Sequence, residues 1–197
     1  MAPLKLGMVG GGQGAFIGGV HRMAARLDGC FDLVAGAFSS DAVRAHASAA
    51  ELGIDGDRSY ANFNEMSKSE AARPDRIDAV SIVTPNHLHG PIAEAFLAHD
   101  ISVICDKPMT ATLAQAESLM EAAETSKGHF FFTHNYTGYP MIRQARQMVA
   151  EGALGEIRFV EVNYLQDWLS EAPAEDNKQA KWRMDVAQSG GGAIGDI

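Results

Sequence analysis

Three features of the sequence predict an α/β chain built on a doubly wound parallel sheet of the Rossmann type. Short apolar runs alternate with helical stretches from residue 4 to residue 133. A glycine-rich turn, Val9-Gly10-Gly11-Gly12-Gln13-Gly14-Ala15-Phe16-Ile17-Gly18-Gly19-Val20-His21, stands between the first apolar run and the first helix. Two later runs end in Thr84-Pro85-Asn86 and Asp106-Lys107-Pro108, at the carboxyl edge where open parallel sheets bind ligands.

The first run, Leu4-Lys5-Leu6-Gly7-Met8-Val9, reads as a buried strand. Phe16, Val20, Met23, Ala24 and Leu27 then share one face at helical spacing. N–H groups at a helix start lack internal partners, and the helix dipole adds partial positive charge, so the turn suits a phosphate. Gly10-x-Gly12-x-x-Ala15 fits the dinucleotide fingerprint. Gly10 keeps the turn tight, Gly12 admits a pyrophosphate, and Ala15 or Gly18 lets helix and strand close together. Gln13, Gly14, Phe16 and Ile17 join them as cofactor candidates. A plain flexible turn would show the same glycines; the strand before and the helix after favour the phosphate seat.

Residues 31–38 form a second strand, and Ser39-Ser40-Asp41 cap a helix running to about Leu52. An acid at the end of that strand would hold the ribose hydroxyls of NAD. The slot holds Phe38 or Ser39, and the first acid is Asp41. Ser39 and Ser40, with Arg44 one turn on, lean toward the 2′-phosphate of NADP, although the serines serve equally as helix caps. NAD or NADP stays open. Residues 54–76 are irregular, with a short strand near Tyr60 and a small helix containing Glu65 and Met66.

A central strand spans 77–84 and brings Thr84, Pro85 and Asn86 beside the glycine turn. A helix over 88–99 with Pro91 in its first turn leads to a strand over 101–105. Thr112 and Gln115 form a capping box for a helix over 113–127, whose inner face is Leu113, Ala116, Leu119, Met120 and Ala123. A strand over 129–133 follows. Pro140 then starts a helix to Glu151, and 156–164 reads as a long strand. The expected division is a dinucleotide-binding domain over 1–134 and the beginning of an incomplete α+β substrate and oligomerisation domain over 135–197.

With 46% hydrophobic residues in 197, the chain can build a core. A net charge of −9, spread without blocks, argues against nucleic acid or an anionic membrane as partner. No apolar stretch approaches the ~20 residues of a bilayer span, and the start lacks signal-peptide character. Cys30 and Cys105 match no zinc or redox spacing, and His87-x-His89 has no acid or Cys cluster beside it. A cytoplasmic protein without a metal is expected.

Lys107 is the sharpest chemical candidate, because the nicotinamide of a bound dinucleotide would lie at its sheet edge. A lysine ordinarily titrates near ~10.4. Partial burial beside a positive nicotinamide would lower it toward the ~7–8 of general acid–base work, while Asp106 pulls the other way. From position alone, a solvated surface charge is the alternative.

Taken together, Gly10-x-Gly12, Thr84-Pro85-Asn86-x-x-His89, Asp106-Lys107-Pro108, Trp182-Arg183 and the stretch 190–197 (Gly-Gly-Gly-Ala-Ile-Gly-Asp-Ile) resemble the glucose-fructose oxidoreductase / inositol dehydrogenase / MocA (Gfo/Idh/MocA) family of NAD(P)-dependent oxidoreductases. The motifs run in order along the whole chain. The resemblance implies a Rossmann domain followed by a domain with a large, mostly antiparallel sheet that covers the substrate and mediates homo-oligomers. It implies hydride transfer between nicotinamide C4 and a carbinol carbon of a sugar, polyol or related compound. On that pattern Lys107 polarises the reacting oxygen and Asp196 orients the reacting groups. The proton-accepting histidine falls past Ile197. His89 lies near the cofactor or substrate, with capping of backbone at the helix start as the alternative, and Asp106 lies near the cofactor. Asn135, Tyr136, Trp182, Arg183 and Asp196 join Lys107 around the substrate; packing of the interdomain joint is the alternative for Asn135 and Tyr136, and anchoring of the loop for Trp182 and Arg183. Two departures stand out: Asp106 replaces a glutamate, and the glycine turn runs longer before His21, so Phe16 and Ile17 loop over the pyrophosphate. A different class of reading is a non-catalytic dinucleotide-binding module, or a gene fragment lacking the catalytic histidine.

Overall fold

In the computed structural model the described residues are 2–167, 170–174, 177, 180 and 183–190; Trp182 and Asp196 lie outside them. Five parallel strands form one sheet in the order β2-β1-β3-β4-β5. They are β1 (Leu4–Gly10), β2 (Phe31–Ala37), β3 (Ala79–Val83), β4 (Ser102–Cys105) and β5 (Phe130–Phe132). All of β3 is buried, as expected of an unbroken apolar run in the middle of a parallel sheet. The chain runs from β1 outward to β2 and then returns to the other side of β1 to make β3. A crevice therefore opens between the carboxyl ends of β1 and β3, the switch point of the topology.

Six helices connect and extend the strands: α1 (Phe16–Leu27), α2 (Ala42–Glu51), α3 (Phe63–Ala72), α4 (His89–Leu97), α5 (Leu113–Thr125) and α6 (Pro140–Ala150). The main core joins Val80, Ile82, Phe96, Leu97, Ile101, Val103 and Leu119. A smaller one joins Met8, Phe38, Ala49, Ile54 and Val83 behind β2. The caps follow the expected chemistry. Asp41 Oδ1 accepts from Arg44 N at 2.8 Å, and Thr112 Oγ1 accepts from Gln115 N at 3.3 Å. The capping box closes one residue early, since Gln115 Oε1 accepts from Ala111 N.

Three expectations are corrected. The predicted inner face of α1 is turned to solvent, with Phe16 74% and Leu27 77% exposed. Gly18 lies against β1 instead: a Cβ built there would stand 2.4 Å from Gly11 Cα. Arg22 Nη1 donates to Gly11 O at 2.7 Å on the same side. Backbone contact, the Arg22 anchor and Ile17, which packs against the smaller core, hold this helix. In α5, Leu119 is buried, but Leu113 and Met120 are exposed, and Ala122 and Ala123 pack inward. Finally, 156–164 forms no ladder with any described strand, and Phe159, Val160 and Val162 are exposed. Strand pairing needs a neighbour to hydrogen-bond, and none of the described residues supplies one.

The short strand expected near Tyr60 is reduced to one parallel bridge, Gly36 to Ser59, with Tyr60 N donating to Gly36 O at 2.9 Å. What holds this stretch is a buried charge cluster. Glu70 is fully buried and accepts from Arg58 Nε at 3.1 Å, Arg58 Nη2 at 2.5 Å, Tyr60 OH at 2.8 Å and Ile77 N at 3.1 Å. Burial, reinforced by the bond to Glu70, pushes the Tyr60 phenol well above its ordinary value. Removing one partner of a buried pair strands the other charge, which costs about 3–5 kcal/mol. Arg58→Met is therefore expected to lower unfolding stability by about that amount, measured by urea titration; a change near zero would contradict the buried pairing.

Candidate active site

The switch-point crevice is a cleft of about 1360 Å³. Its floor is the glycine turn. Gly10, Gly11 and Gly14 all have positive φ, and a Cβ at Gly10 would meet Val83 O at 2.8 Å. The turn is thus accessible to glycine and strained for other residues. The N-cap of α1 is Ala15, which offers no side-chain acceptor, and no acid stands in the first turn. The leading N–H groups of α1 are left for an anion. Gln13, Gly14, Ala15, Phe16 and Ile17 line this end. Gly14 has nothing within 4 Å of a would-be Cβ, so the open space lies there.

Gly12 plays a different part from the one expected. It does not line the cleft, and its Cβ would strike Ser48 Oγ at 2.7 Å and Phe38 O at 2.8 Å. Its lack of a side chain seats the turn on β2 and α2. Of the two residues expected to close helix on strand, Gly18 makes that contact; Ala15 is the N-cap. Ser48, not singled out from the sequence, accepts from Gln13 N at 3.0 Å and fixes the turn from the other side.

Ser39, Ser40 and Arg44 line the far end of the cleft, next to Phe38. Ser39 Oγ accepts from Asp41 N at 3.1 Å, and Asp41 is occupied as the cap of α2. No carboxylate from the end of β2 enters this end of the cleft.

Thr84, Pro85 and Asn86 line the opposite wall. Thr84 Oγ1 is a buried hydroxyl with no hydrogen-bond partner among the described residues, a polar atom that a ligand in the cleft would satisfy. The Asn86 amide is already engaged: Nδ2 donates to Ser189 O at 2.9 Å, joining the end of β3 to the single turn Val186–Ser189. His89, expected near the cofactor, is 1% exposed and does not line the cleft. Its ring bridges Thr84 O at 2.8 Å and Pro108 O at 2.6 Å, tying together the loops after β3 and β4. Burial pushes His89 below the ordinary histidine value, against the upward pull of the two carbonyls.

Asp106 and Lys107 line the cleft where β4 ends. Asp106 Oδ1 accepts from Thr133 Oγ1 at 2.8 Å and faces His21 Nε2 at 3.5 Å. Burial raises this carboxyl, and the contacts from His21 and Thr133 more than reverse it, leaving Asp106 below the usual carboxylate range. Beside it, burial and the Asp106 charge push the Cys105 thiol up to about 12, so it stays protonated and unreactive. Asn135, Tyr136 and Arg183 complete the rim, joined by Gln166, which the sequence did not mark. Tyr136 OH and Tyr164 OH are 2.7 Å apart. His21, Ser81 and Thr133 also escaped sequence reading, because their significance lies in long-range contacts. Trp182 and Asp196 fall outside the described residues. Among the described residues, no group of three His, Cys, Asp or Glu is placed to hold a metal, and no helix is long and apolar enough to cross a membrane.

Sheet order, glycine turn and uncapped helix at a switch point define a dinucleotide-binding domain of the Rossmann class. Residues 4–134 match the model of an oxidoreductase family with an NAD-binding Rossmann fold, and 142–197 match the GFO/IDH/MocA C-terminal domain. The chain is 37% identical, over 99% of its length, to the uncharacterized oxidoreductase YfiI of Bacillus subtilis, covering 50% of that protein. It is 33% identical, over 100% of its length, to levoglucosan dehydrogenase of Pseudarthrobacter phenanthrenivorans, covering 49%. An inositol dehydrogenase homolog from Azotobacter vinelandii, solved with NAD+, superposes with a TM-score of 0.93 at 40% identity, over 99% of this chain and 50% of that one. The chain belongs to the Gfo/Idh/MocA oxidoreductase family. It spans about half the length of the curated relatives it matches.

The Asn86–Ser189 bond carries a direct prediction. Losing a buried hydrogen bond that strands its partner costs about 1–3 kcal/mol. Asn86→Ala is expected to speed amide exchange over 186–190 about tenfold or more while β3 stays protected, read by hydrogen–deuterium exchange mass spectrometry. Equal protection in both proteins would remove the latch.

Proposed function

We propose that the protein is an NAD(P)-dependent dehydrogenase that moves a hydride between nicotinamide and a carbinol carbon of a sugar, polyol or related compound. The observation that carries this reading is the sharing of one cleft by the uncapped start of α1 and Lys107. The levoglucosan and inositol relatives support the substrate class. The division proposed is a cofactor domain over 1–134 and a substrate and oligomer-forming domain beginning at 135. A reducing cytoplasm fits the two unpaired cysteines, and a small hydroxylated substrate fits the absence of basic blocks in a chain of net charge −9.

The residues present fit a dinucleotide. The N–H groups of 14–17 would receive the pyrophosphate, Ser39, Ser40 and Arg44 the adenosine ribose, and Thr84 Oγ1 a polar atom of the nicotinamide half. When bound, the cofactor supplies a hydride acceptor or donor at nicotinamide C4. Lys107 hydrogen-bonds the reacting oxygen and stabilises its charge as the hydroxyl proton departs. Asn135, Tyr136, Trp182 and Arg183 hold the remaining hydroxyls, and Asp196 orients the reacting groups. Catalysis here is chiefly the positioning of two partners in a cleft that the sheet edge keeps rigid.

Nicotinamide fluorescence titration of the full-length protein is expected to show binding of both NADH and NADPH, since no acid at the end of β2 repels a 2′-phosphate. Arg44→Ala should weaken NADPH about tenfold, roughly 1.4 kcal/mol, and leave NADH unchanged. Parallel loss of both would remove Arg44 from the phosphate. Lys107→Ala should lower kcat on the best polyol or sugar by about 10²–10⁴-fold with NADH affinity retained. Unchanged turnover would remove Lys107 from the reacting oxygen.

A further inference from the structure

Along the cleft wall runs a line of polar side chains that the proposed reaction leaves unused. Ser81, in the middle of β3 and 1% exposed, places Oγ 2.9 Å from His21 Nδ1. His21 Nε2 stands 3.5 Å from Asp106 Oδ1, and Thr133 Oγ1 donates to that same oxygen at 2.8 Å. Four elements thus meet: β3, α1, and the residues just past β4 and β5. A Ser–His–Asp order invites a hydrolytic reading, but Ser81 is 1% exposed and too deeply buried to meet a substrate carbonyl. The line has another use.

A carboxylate only accepts, so the ring proton facing Asp106 must sit on Nε2; in the neutral ring Nδ1 then accepts from the Ser81 hydroxyl. The tautomer and ring plane of His21 are therefore set from both sides. His21 lies on the helix whose first turn is the phosphate seat, and Asp106 is the residue before Lys107. An aspartate arm, shorter than glutamate, reaches Thr133 and His21 while its backbone leads directly into the lysine.

We propose that His21 is a positioning residue for Lys107: by holding Asp106 toward Thr133 and α1, it fixes the 105–107 backbone and couples the pyrophosphate-binding helix to the residue that hydrogen-bonds the reacting oxygen. This rests on the reading of the cleft as a hydride-transfer site. The titratable groups around Asp106 are His21 from α1, His89 from α4, and Cys105 and Lys107 on its own segment. His21 helps hold Asp106 low. Removing it lets the carboxylate protonate at higher pH.

The test uses the full-length protein with NAD+ and either inositol or levoglucosan. His21→Ala is expected to lower kcat about tenfold or more, keep NADH affinity, and move the acid limb of the rate profile to higher pH. His21→Gln, whose amide can still donate toward Asp106, should restore part of kcat. An unchanged kcat, or kcat and NADH affinity falling together with the acid limb in place, would overturn the proposal. Imidazole nitrogen spectra decide the strut without turnover and serve if His21→Ala does not fold. Wild type should show the Nε2–H tautomer at His21, perturbed by Asp106→Asn; the Nδ1–H tautomer would sink the arrangement. Failure of the wild type to bind NADH would end the hydride-transfer reading instead, with the spectra still deciding the strut.

Discussion

The contact between Gly11 and Gly18 governs the rest of the site. With no Cβ on either residue, the first helix settles backbone against backbone on the end of β1. That approach aims the uncapped N–H groups of α1 into the crevice and brings Arg22 to Gly11 O. It also brings His21 within reach of Ser81 and Asp106. A methyl group at residue 18 would push α1 off the sheet and loosen the phosphate seat and the polar line together.

The same contact shows where sequence reading stops. The doubly wound parallel sheet and the placement of Thr84, Asp106 and Lys107 were legible, because apolar runs and their terminal tripeptides fix which residues reach the carboxyl edge of a parallel sheet. The inward side of α1 was not legible. Hydrophobic periodicity marks an apolar stripe, and here the inward side carries Gly18, His21, Arg22 and, off that stripe, Ile17, while Phe16 and Leu27 stay exposed. Residues 156–164 carry a strand-like pattern, but a pattern does not supply the partner strand.

Side-chain direction was the second blind spot. Asn86 lines the cleft as its strand-end position implies, with its amide bonded to Ser189, while the ring of His89, for which the resemblance left the cofactor and backbone capping both open, is turned to two backbone carbonyls. His89 thus braces the loops behind the cleft, and Asn86 braces its wall. Alternation along β4 separates Cys105 from Asp106 in a similar way. The thiol is directed into the core and held protonated, while the carboxylate finds a hydroxyl and an imidazole. The residue after them, Lys107, lines the cleft.

The cluster around Glu70 has a consequence for solubility. β2 is the outer strand of the sheet, and beyond it only Gly36 is bridged, to Ser59. An open edge of that kind invites strands from other molecules. Arg58, Tyr60 and Glu70 anchor the loop that shields it, and charged Asp57, Arg73 and Asp75 surround that anchor. On the opposite side β5 is three residues long, a short template for a foreign strand. Weakening the Arg58–Glu70 pair would expose a ladder of unsatisfied amides on β2, making self-association a hazard of that lesion alongside lost stability.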